Sequence, residues 1–178
     1  EGISRYDGTL YQFFHEGQRG EHVAWDSRCF DYGKNQVLHF LLSNCKYWLD
    51  EFRFDGFRFD GVTSMCYKDH GLGRDFMEYA HYFNDNLDMD ALVYLRLANS
   101  LIHQVRPDAV TVAEDMSGFP GMAATVETGG IGFDFRLAMG VPDYWIKLIK
   151  EVPDEMWHVG DMFYQLTNKR PEEKVICY

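Results

Sequence analysis

The chain has 178 residues, of which 46% are apolar and 16% aromatic. This composition is sufficient for a packed core and argues against intrinsic disorder. The chain carries a formal net charge of −11, and its lysines and arginines are not clustered. Nucleic acids and anionic membranes attract clustered cations, so this balance argues against both as partners and suits a neutral substrate such as a sugar polymer.

Residues 1–35 are rich in glycine, aromatic and charged residues but show little periodicity. They predict a long loop, which in a compact domain is usually functional or part of a larger structure. Apolar residues recur at three- and four-residue spacing over 36–52, which predicts a helix with Asn35 as its N-cap. The aromatic-rich residues 54–61 then predict a buried strand that ends in a carboxylate, Asp60, and a glycine.

Residues 62–89 predict a second long polar loop. A helix follows at about residues 91–105, with either Asp88 or Asp90 as its cap and Pro107 as its stop. The remaining predicted elements are a strand at 109–113, a loop with glycine and proline at 117–130, a strand at 131–135, helices at 143–151 and 154–167, and the first half of a strand at 175–178.

Strands that alternate with helices predict βαβ units and a parallel α/β sheet. Four such units suit half of a (β/α)8 TIM barrel, because a full barrel takes about 250 residues. We expect a single barrel fragment over residues 1–178, with a loop at 1–35 and βα units at 36–178. Periodicity does not exclude an open doubly wound sheet, although no glycine-rich fingerprint stands at a strand-to-helix turn.

Two predicted strands end in carboxylates, at Asp60 and at Glu114. Active sites of parallel α/β folds gather at the carboxyl edge of the strands, so neighbouring strands would bring both side chains to one cleft. Two carboxylates across a cleft can cleave a glycosidic bond, one attacking the anomeric carbon and the other protonating the departing oxygen. A separation of about 5–5.5 Å gives retention and about 6.5–9.5 Å gives inversion.

Arg58 should point the same way as Asp60, because alternate residues of a strand share a face. Its guanidinium would favour the ionised carboxylate that a nucleophile needs. Glu114 needs the opposite, a raised pKa, and both desolvation and the nearby charge of Asp60 push in that direction.

Each of these residues also has a structural interpretation. A carboxylate at a strand end often caps the next helix, Asp60-Gly61 is a common turn sequence, and an arginine such as Arg58 often forms a structural ion pair. The run GFRFDG is less ordinary, since it places a charged pair inside an aromatic strand, where an unpaired charge is costly. This combination favours the functional interpretation.

A family resemblance is carried by four motifs. Residues 55–65, DGFRFDGVTSM, resemble the nucleophile motif of the α-amylase family (glycoside hydrolase family 13), and the VTSM ending is typical of eukaryotic-type 1,4-α-glucan branching enzymes. Residues 112–118, VAEDMSG, resemble the general acid/base motif of the family. Residues 25–33 and 129–139 are similar to further branching-enzyme signatures, and the resemblance extends over essentially the whole chain in the expected order.

The resemblance implies a role for each matching residue. Asp60 matches the nucleophile, Glu114 the acid/base and Arg58 the arginine beside the nucleophile. The implied reaction cleaves an α-1,4-glucan to form a glucosyl ester on Asp60, which the 6-hydroxyl of another glucan chain attacks to give an α-1,6 branch. The implied partner is an α-glucan (glycogen, amylose or amylopectin). We expect no cofactor and no metal, and a cytoplasmic protein, or a plastid one in a plant or alga.

Weaker candidates for contact with glucan are Trp25, Met65 and Asp115, with core packing as an equal alternative for Trp25 and Met65. A metal site at His70 and His81 is disfavoured, because their loop has no ligand-spaced set of cysteines or carboxylates.

Free thiols in a reducing compartment are expected of the four separate cysteines, Cys29, Cys45, Cys66 and Cys177, which form no CxxC pair. No apolar run approaches the roughly 20 residues of a membrane helix. The first residues form no signal peptide, and because the chain does not start with Met, a targeting segment could precede them.

The family has a third catalytic carboxylate, in a His-Asp pair just after the strand that begins at Lys174, and the chain reaches only Tyr178. We therefore expect two of three catalytic acids here and no activity from the chain alone. Two rivals stay open: another α-amylase-family enzyme, such as an amylase or debranching enzyme, and a non-catalytic glucan-binding relic.

Overall fold

The computed structural model describes residues 7–169 and 174–176. Its strands are β1 (Glu21–His22), β2 (Ser27–Arg28), β3 (Gly56–Phe59), β4 (Val110–Ala113), β5 (Phe135–Leu137) and β6 (Val175–Ile176). Its α-helices are α1 (Asn35–Asp50), α2 (Val62–Cys66), α3 (Tyr79–Tyr82), α4 (Met89–Val105), α5 (Gly140–Glu151) and α6 (Val159–Thr167). Short 3₁₀ helices span Gly17–Gly20, Val126–Thr128 and Asp154–Met156.

Four strands form a parallel sheet in the order β3-β4-β5-β6, and β1 pairs with β2 in a separate antiparallel hairpin. The chain is therefore of the α/β class with a parallel sheet, as the alternation of elements predicts. In the pairing of β3 with β4, Phe59 lies opposite Ala113. Asp60 and Glu114 come directly after this pair, so both leave the sheet at its carboxyl edge.

Helix α4 packs against α1 and provides much of the core. Its Leu95, Ala98 and Ile102 are fully buried, at the three- and four-residue spacing that forms one helix face. Cys45 and Leu49 of α1 pack with the same face near Ile102. Because β3 follows α1 and β4 follows α4, this packing positions the start of β4 relative to β3.

The two predicted helix caps have different outcomes. Asp88 caps α4, because its carboxylate accepts a hydrogen bond from the Ala91 amide at 3.3 Å, which decides between the two candidates. The prediction for α1 is wrong: Asn35 is the first residue of the helix, and Lys34 takes the cap position without a side-chain hydrogen bond.

The prediction of a third strand at 131–135 is wrong by a few residues, since β5 spans Phe135–Leu137. The amides of residues 131–133 donate hydrogen bonds to carbonyls of residues 121–124, so this stretch is joined to the preceding loop instead of to the sheet. Gly132 has a φ of +96°, which breaks an extended conformation.

Other predictions differ in smaller ways. The predicted loop at 1–35 contains the β1–β2 hairpin, and the one at 62–89 contains α2 and α3. The predicted strand at 54–61 is only half-buried. The predicted helix at 154–167 is divided into a 3₁₀ turn and α6. The strand predicted at 175–178 is present as β6, and its last two residues lie outside the described part.

Among the described residues, Cys29, Cys45 and Cys66 are free, as expected, while Cys177 lies outside them. In that same part of the chain, no helix combines the length and the apolar character needed to cross a membrane.

The packing of α4 gives a stability prediction. Leu95→Ala should lower the free energy of unfolding by about 2–5 kcal/mol, because it leaves a cavity in a fully buried position. Leu97→Ala, on the exposed face of the same helix, is the matched control and should change it by about 0.5 kcal/mol or less. Urea unfolding of both variants measures this, and equal losses would contradict the described packing.

Candidate active site

The main chain holds the ends of β3 and β4 together at the predicted site. The Glu114 amide donates to the Phe59 carbonyl at 2.9 Å, and the Val62 amide donates to the Glu114 carbonyl at 2.9 Å. Between these bonds, Gly61 adopts a φ of +59°, which favours glycine and turns the chain from β3 into α2. The two strand ends are thus fixed side by side before any side chain is considered.

Arg58 bridges the two carboxylates. Its Nη2 lies 3.3 Å from Asp60 Oδ1 and 2.5 Å from Glu114 Oε2, so these two oxygens cannot be more than about 6 Å apart. Arg58 points the same way as Asp60, as the strand periodicity predicts. The structure therefore brings all three predicted residues into one cluster.

The cluster opens to solvent. The side chain of Asp60 is 82% exposed and that of Arg58 is 52% exposed, whereas only 17% of Glu114 is exposed. The interpretation of GFRFDG as a charged pair inside a buried strand is therefore wrong. Both charges stay hydrated because their side chains leave β3 on its open face and at its end.

Glu114 differs from its partner in environment. Burial raises the pKa of Glu114, and the hydrogen bond and charge of Asp60 raise it further. The guanidinium of Arg58 and the Gly61 amide, 3.4 Å from Oε2, lower that pKa but do not outweigh the other effects. The predicted direction of the shift is confirmed, and it is the direction that a general acid requires.

Asp115 is fully buried and satisfied within the protein. Its Oδ1 accepts hydrogen bonds from the Thr63 hydroxyl at 2.6 Å and from the Ser117 amide and hydroxyl at 3.0 and 2.6 Å. Its Oδ2 accepts from the Phe119 amide at 2.7 Å. These contacts favour a role in positioning the loop after Glu114 over the predicted contact with substrate.

Trp25 and Met65 lie nearer to the cleft. Both line a cavity of about 280 Å³ that also includes Asp60. Trp25, 57% exposed, also lines a second cavity of about 310 Å³ that includes Glu114. Met65 is half-buried and packs against the main core, so it contacts both the core and the cavity.

The two histidines considered as metal ligands have other neighbours. Nδ1 of His70 lies 3.5 Å from Cys29 Sγ, and Nδ1 of His81 accepts from the Met77 amide at 3.2 Å. Across residues 7–169 and 174–176, no group of three or more His, Cys, Asp or Glu is arranged to hold a metal ion.

His22 is among the residues of this cleft that sequence reasoning missed. It is 1% exposed, and its ring stacks on Trp25 with centroids 4.0 Å apart and an interplanar angle of 13°. A lone histidine in a stretch without periodicity gives no sign that it is buried. Only its contact with Trp25, which the structure shows, identifies it as part of the cleft.

No family model matches the chain. The chain is 52% identical over its full length to a 1,4-alpha-glucan-branching enzyme of Felis catus, 53% to one of Equus caballus and 50% to one of Solanum tuberosum. Related fungal proteins carry the same name. The chain spans 26% of the length of the first two relatives and 21% of the third, so it is homologous throughout to one segment of these proteins.

The pairing of the carboxylates predicts opposite pKa changes. Asp60→Asn should lower the pKa of Glu114, because it removes a charge that raises this pKa. Arg58→Gln should raise the same pKa, because it removes a cation that lowers it. A carbon-13 NMR titration of the Glu114 carboxyl measures both. Asp55→Asn, before the other end of β3, is the control, and shifts of one sign in all three variants would contradict this electrostatic account.

The network of Asp115 gives a second prediction for this site. Asp115→Ala should lower the free energy of unfolding by about 3 kcal/mol, since it leaves buried donors of Thr63, Ser117 and Phe119 without their acceptor. Asp108→Ala, which removes an exposed carboxylate, should stay within about 0.5 kcal/mol. Thermal or urea unfolding of both variants measures this, and a loss of stability confined to the Asp108 variant would refute the assigned role.

Proposed function

We propose, from its homology to the 1,4-alpha-glucan-branching enzymes, that this chain is part of the catalytic barrel of a glucan branching enzyme. The order of its sheet supports the partial (β/α)8 barrel, about four consecutive βα units over residues 1–178. Parallel strands that follow one another in sequence, β3-β4-β5-β6, are the arrangement of a barrel. A doubly wound sheet reverses its direction at a switch point, and no reversal occurs among these strands.

Cleavage would begin with two simultaneous steps. Asp60 attacks the anomeric carbon of an α-1,4-linked glucosyl unit, and Glu114 gives its proton to the departing glycosidic oxygen. The observation that carries this assignment is the shared contact with Arg58, which keeps the two acidic oxygens within about 6 Å. That bound supports a direct attack and a covalent ester on Asp60, because inversion needs room for a water between wider-spaced carboxylates.

Transfer would reverse these roles. Glu114, now ionised, accepts the proton of a 6-hydroxyl on a second glucan chain while that oxygen attacks the anomeric carbon. The bond to Asp60 breaks, its carboxylate returns, and an α-1,6 linkage forms with retained configuration. The substrate would be glycogen, amylose or amylopectin, in the cytoplasm or a plastid, with Trp25 and Met65 in contact with the glucan.

The chain spans about a quarter of its relatives' length, so the activity is assigned to the whole enzyme. The test is a chimera in which residues 1–178 replace the matching segment of the Felis catus relative. The chimera should reduce the iodine colour of amylose and form α-1,6 linkages with few new reducing ends. The 178-residue chain alone should leave the colour unchanged.

Two substitutions in the chimera test the assigned roles. Glu114→Gln should lower turnover by about 10²–10⁴-fold, the usual contribution of general acid–base catalysis. Asp60→Asn should lower it at least as much while glucan binding is retained. Reducing ends without α-1,6 linkages would instead indicate a hydrolase of the family, and full activity in the Asp60 variant would indicate that this site is not catalytic.

A further inference from the structure

Two cavities meet beside the carboxylates. One of about 280 Å³ includes Asp60, and the other, of about 310 Å³, includes Glu114. The two cavities share Trp25, Gly61, Ser64 and His70 as lining residues. Of these, only Trp25 is a large side chain more than half exposed, and its indole, here called the wall, borders both cavities.

The backbone presents Trp25 at the tip of the β1–β2 hairpin. Its amide donates to the His22 carbonyl at 3.1 Å, which closes the turn between the two short strands. One edge of the indole meets Gly61, where an added Cβ would lie only 2.7 Å from Cζ3. The wall therefore reaches the residue directly after Asp60 and leaves no space there for a side chain.

The other contact of the wall is His22. The stacked imidazole covers the indole face, and its Nε2 lies 2.9 Å from the Ser64 hydroxyl on α2. Burial lowers the pKa of His22, and the nearby His70 lowers it further, so both effects favour the neutral ring over the charged one. His22 thereby ties the hairpin tip to the helix that begins just after Asp60.

Both cavities combine apolar and polar side chains. The one beside Glu114 is lined in part by the apolar side chains of Leu72, Phe76 and Met116. The one beside Asp60 is lined in part by His15, Arg19 and His22, whose Nε2, Nε and Nδ1 atoms respectively have no hydrogen-bond partner among the residues described. Buried polar atoms without a hydrogen-bond partner favour hydration, so the wall borders a cavity beside Asp60 that can hold water.

An acceptor must approach beside Glu114, because the group that protonates the departing oxygen also deprotonates the arriving one. We propose that His22 is a positioning residue that holds Trp25 as the wall between these cavities, and that this wall favours transfer of the glucosyl group to a sugar hydroxyl over transfer to water. In both transfers the bond from Asp60 to the anomeric carbon breaks, a new carbon–oxygen bond forms, and the proton passes to Glu114. The inference rests on the proposed branching activity.

The test measures new reducing ends per α-1,6 linkage in the active chimera. Trp25→Ala should raise this ratio roughly tenfold, and His22→Ala should raise it in the same direction. The double variant should match Trp25→Ala, because His22 acts through the tryptophan. His22→Phe, which restores a stacking ring without the bond to Ser64, should fall between His22→Ala and the unsubstituted chimera. His39→Ala, an exposed histidine on α1, is the control and should leave the ratio unchanged.

The outcomes separate this inference from the function on which it rests. A chimera that branches normally while His22→Ala lowers turnover without changing the ratio would overturn the inference and leave the function standing. Additive effects of the two single variants would overturn it as well. If His22→Ala does not fold, Ser64→Ala and His22→Phe decide, with a raised ratio expected in both and an unchanged ratio in both contradicting the proposal. A chimera without branching activity overturns the proposed function and this inference together.

Discussion

The site depends on one shared cation between two acids. Two carboxylates close together repel each other, and the Arg58 guanidinium that contacts both reduces this repulsion and keeps them near. Their surroundings are unequal, since Asp60 is mostly exposed and Glu114 mostly covered. Burial and the neighbouring charge then raise the pKa of Glu114. An unequal pair of this kind can divide the roles of nucleophile and proton donor.

The fold provides that closeness through strand register. Because Phe59 lies opposite Ala113, the next residue of each strand leaves the sheet at the same level. Helix α4 packs on α1 through its buried face, which places the two strands beside each other. Asp115 then holds the loop after Glu114 through four internal hydrogen bonds, so adjacent acids in the sequence have different tasks.

The hairpin adds a second layer to the site. Trp25 and His22 come from a stretch far from the strands in sequence, yet they reach the turn at Gly61 and the helix after it. A branching reaction must prevent water from replacing the sugar acceptor. The wall that we propose beside Asp60 would give a physical basis for such a preference, and it rests on the branching activity proposed from homology.

Local patterns in the sequence determined much of this protein. Helical spacing predicted α1 and α4, aromatic and β-branched runs predicted β3 and β4, and the position of Asp60 and Glu114 after those runs predicted their meeting. These features follow from periodicity and strand geometry, and both can be recognised within a short stretch of sequence.

Only the tertiary structure decided the rest. Residues 131–133 are not part of the sheet, because their amides donate hydrogen bonds to carbonyls of residues 121–124. Asp115 is a structural residue, because Thr63, Ser117 and Phe119 donate hydrogen bonds to its carboxylate. The stacking of His22 on Trp25 and its bond to Ser64 likewise join distant parts of the chain. Hydrogen bonds and burial of this kind depend on which segments meet, and that information is absent from the spacing of residues along any one segment.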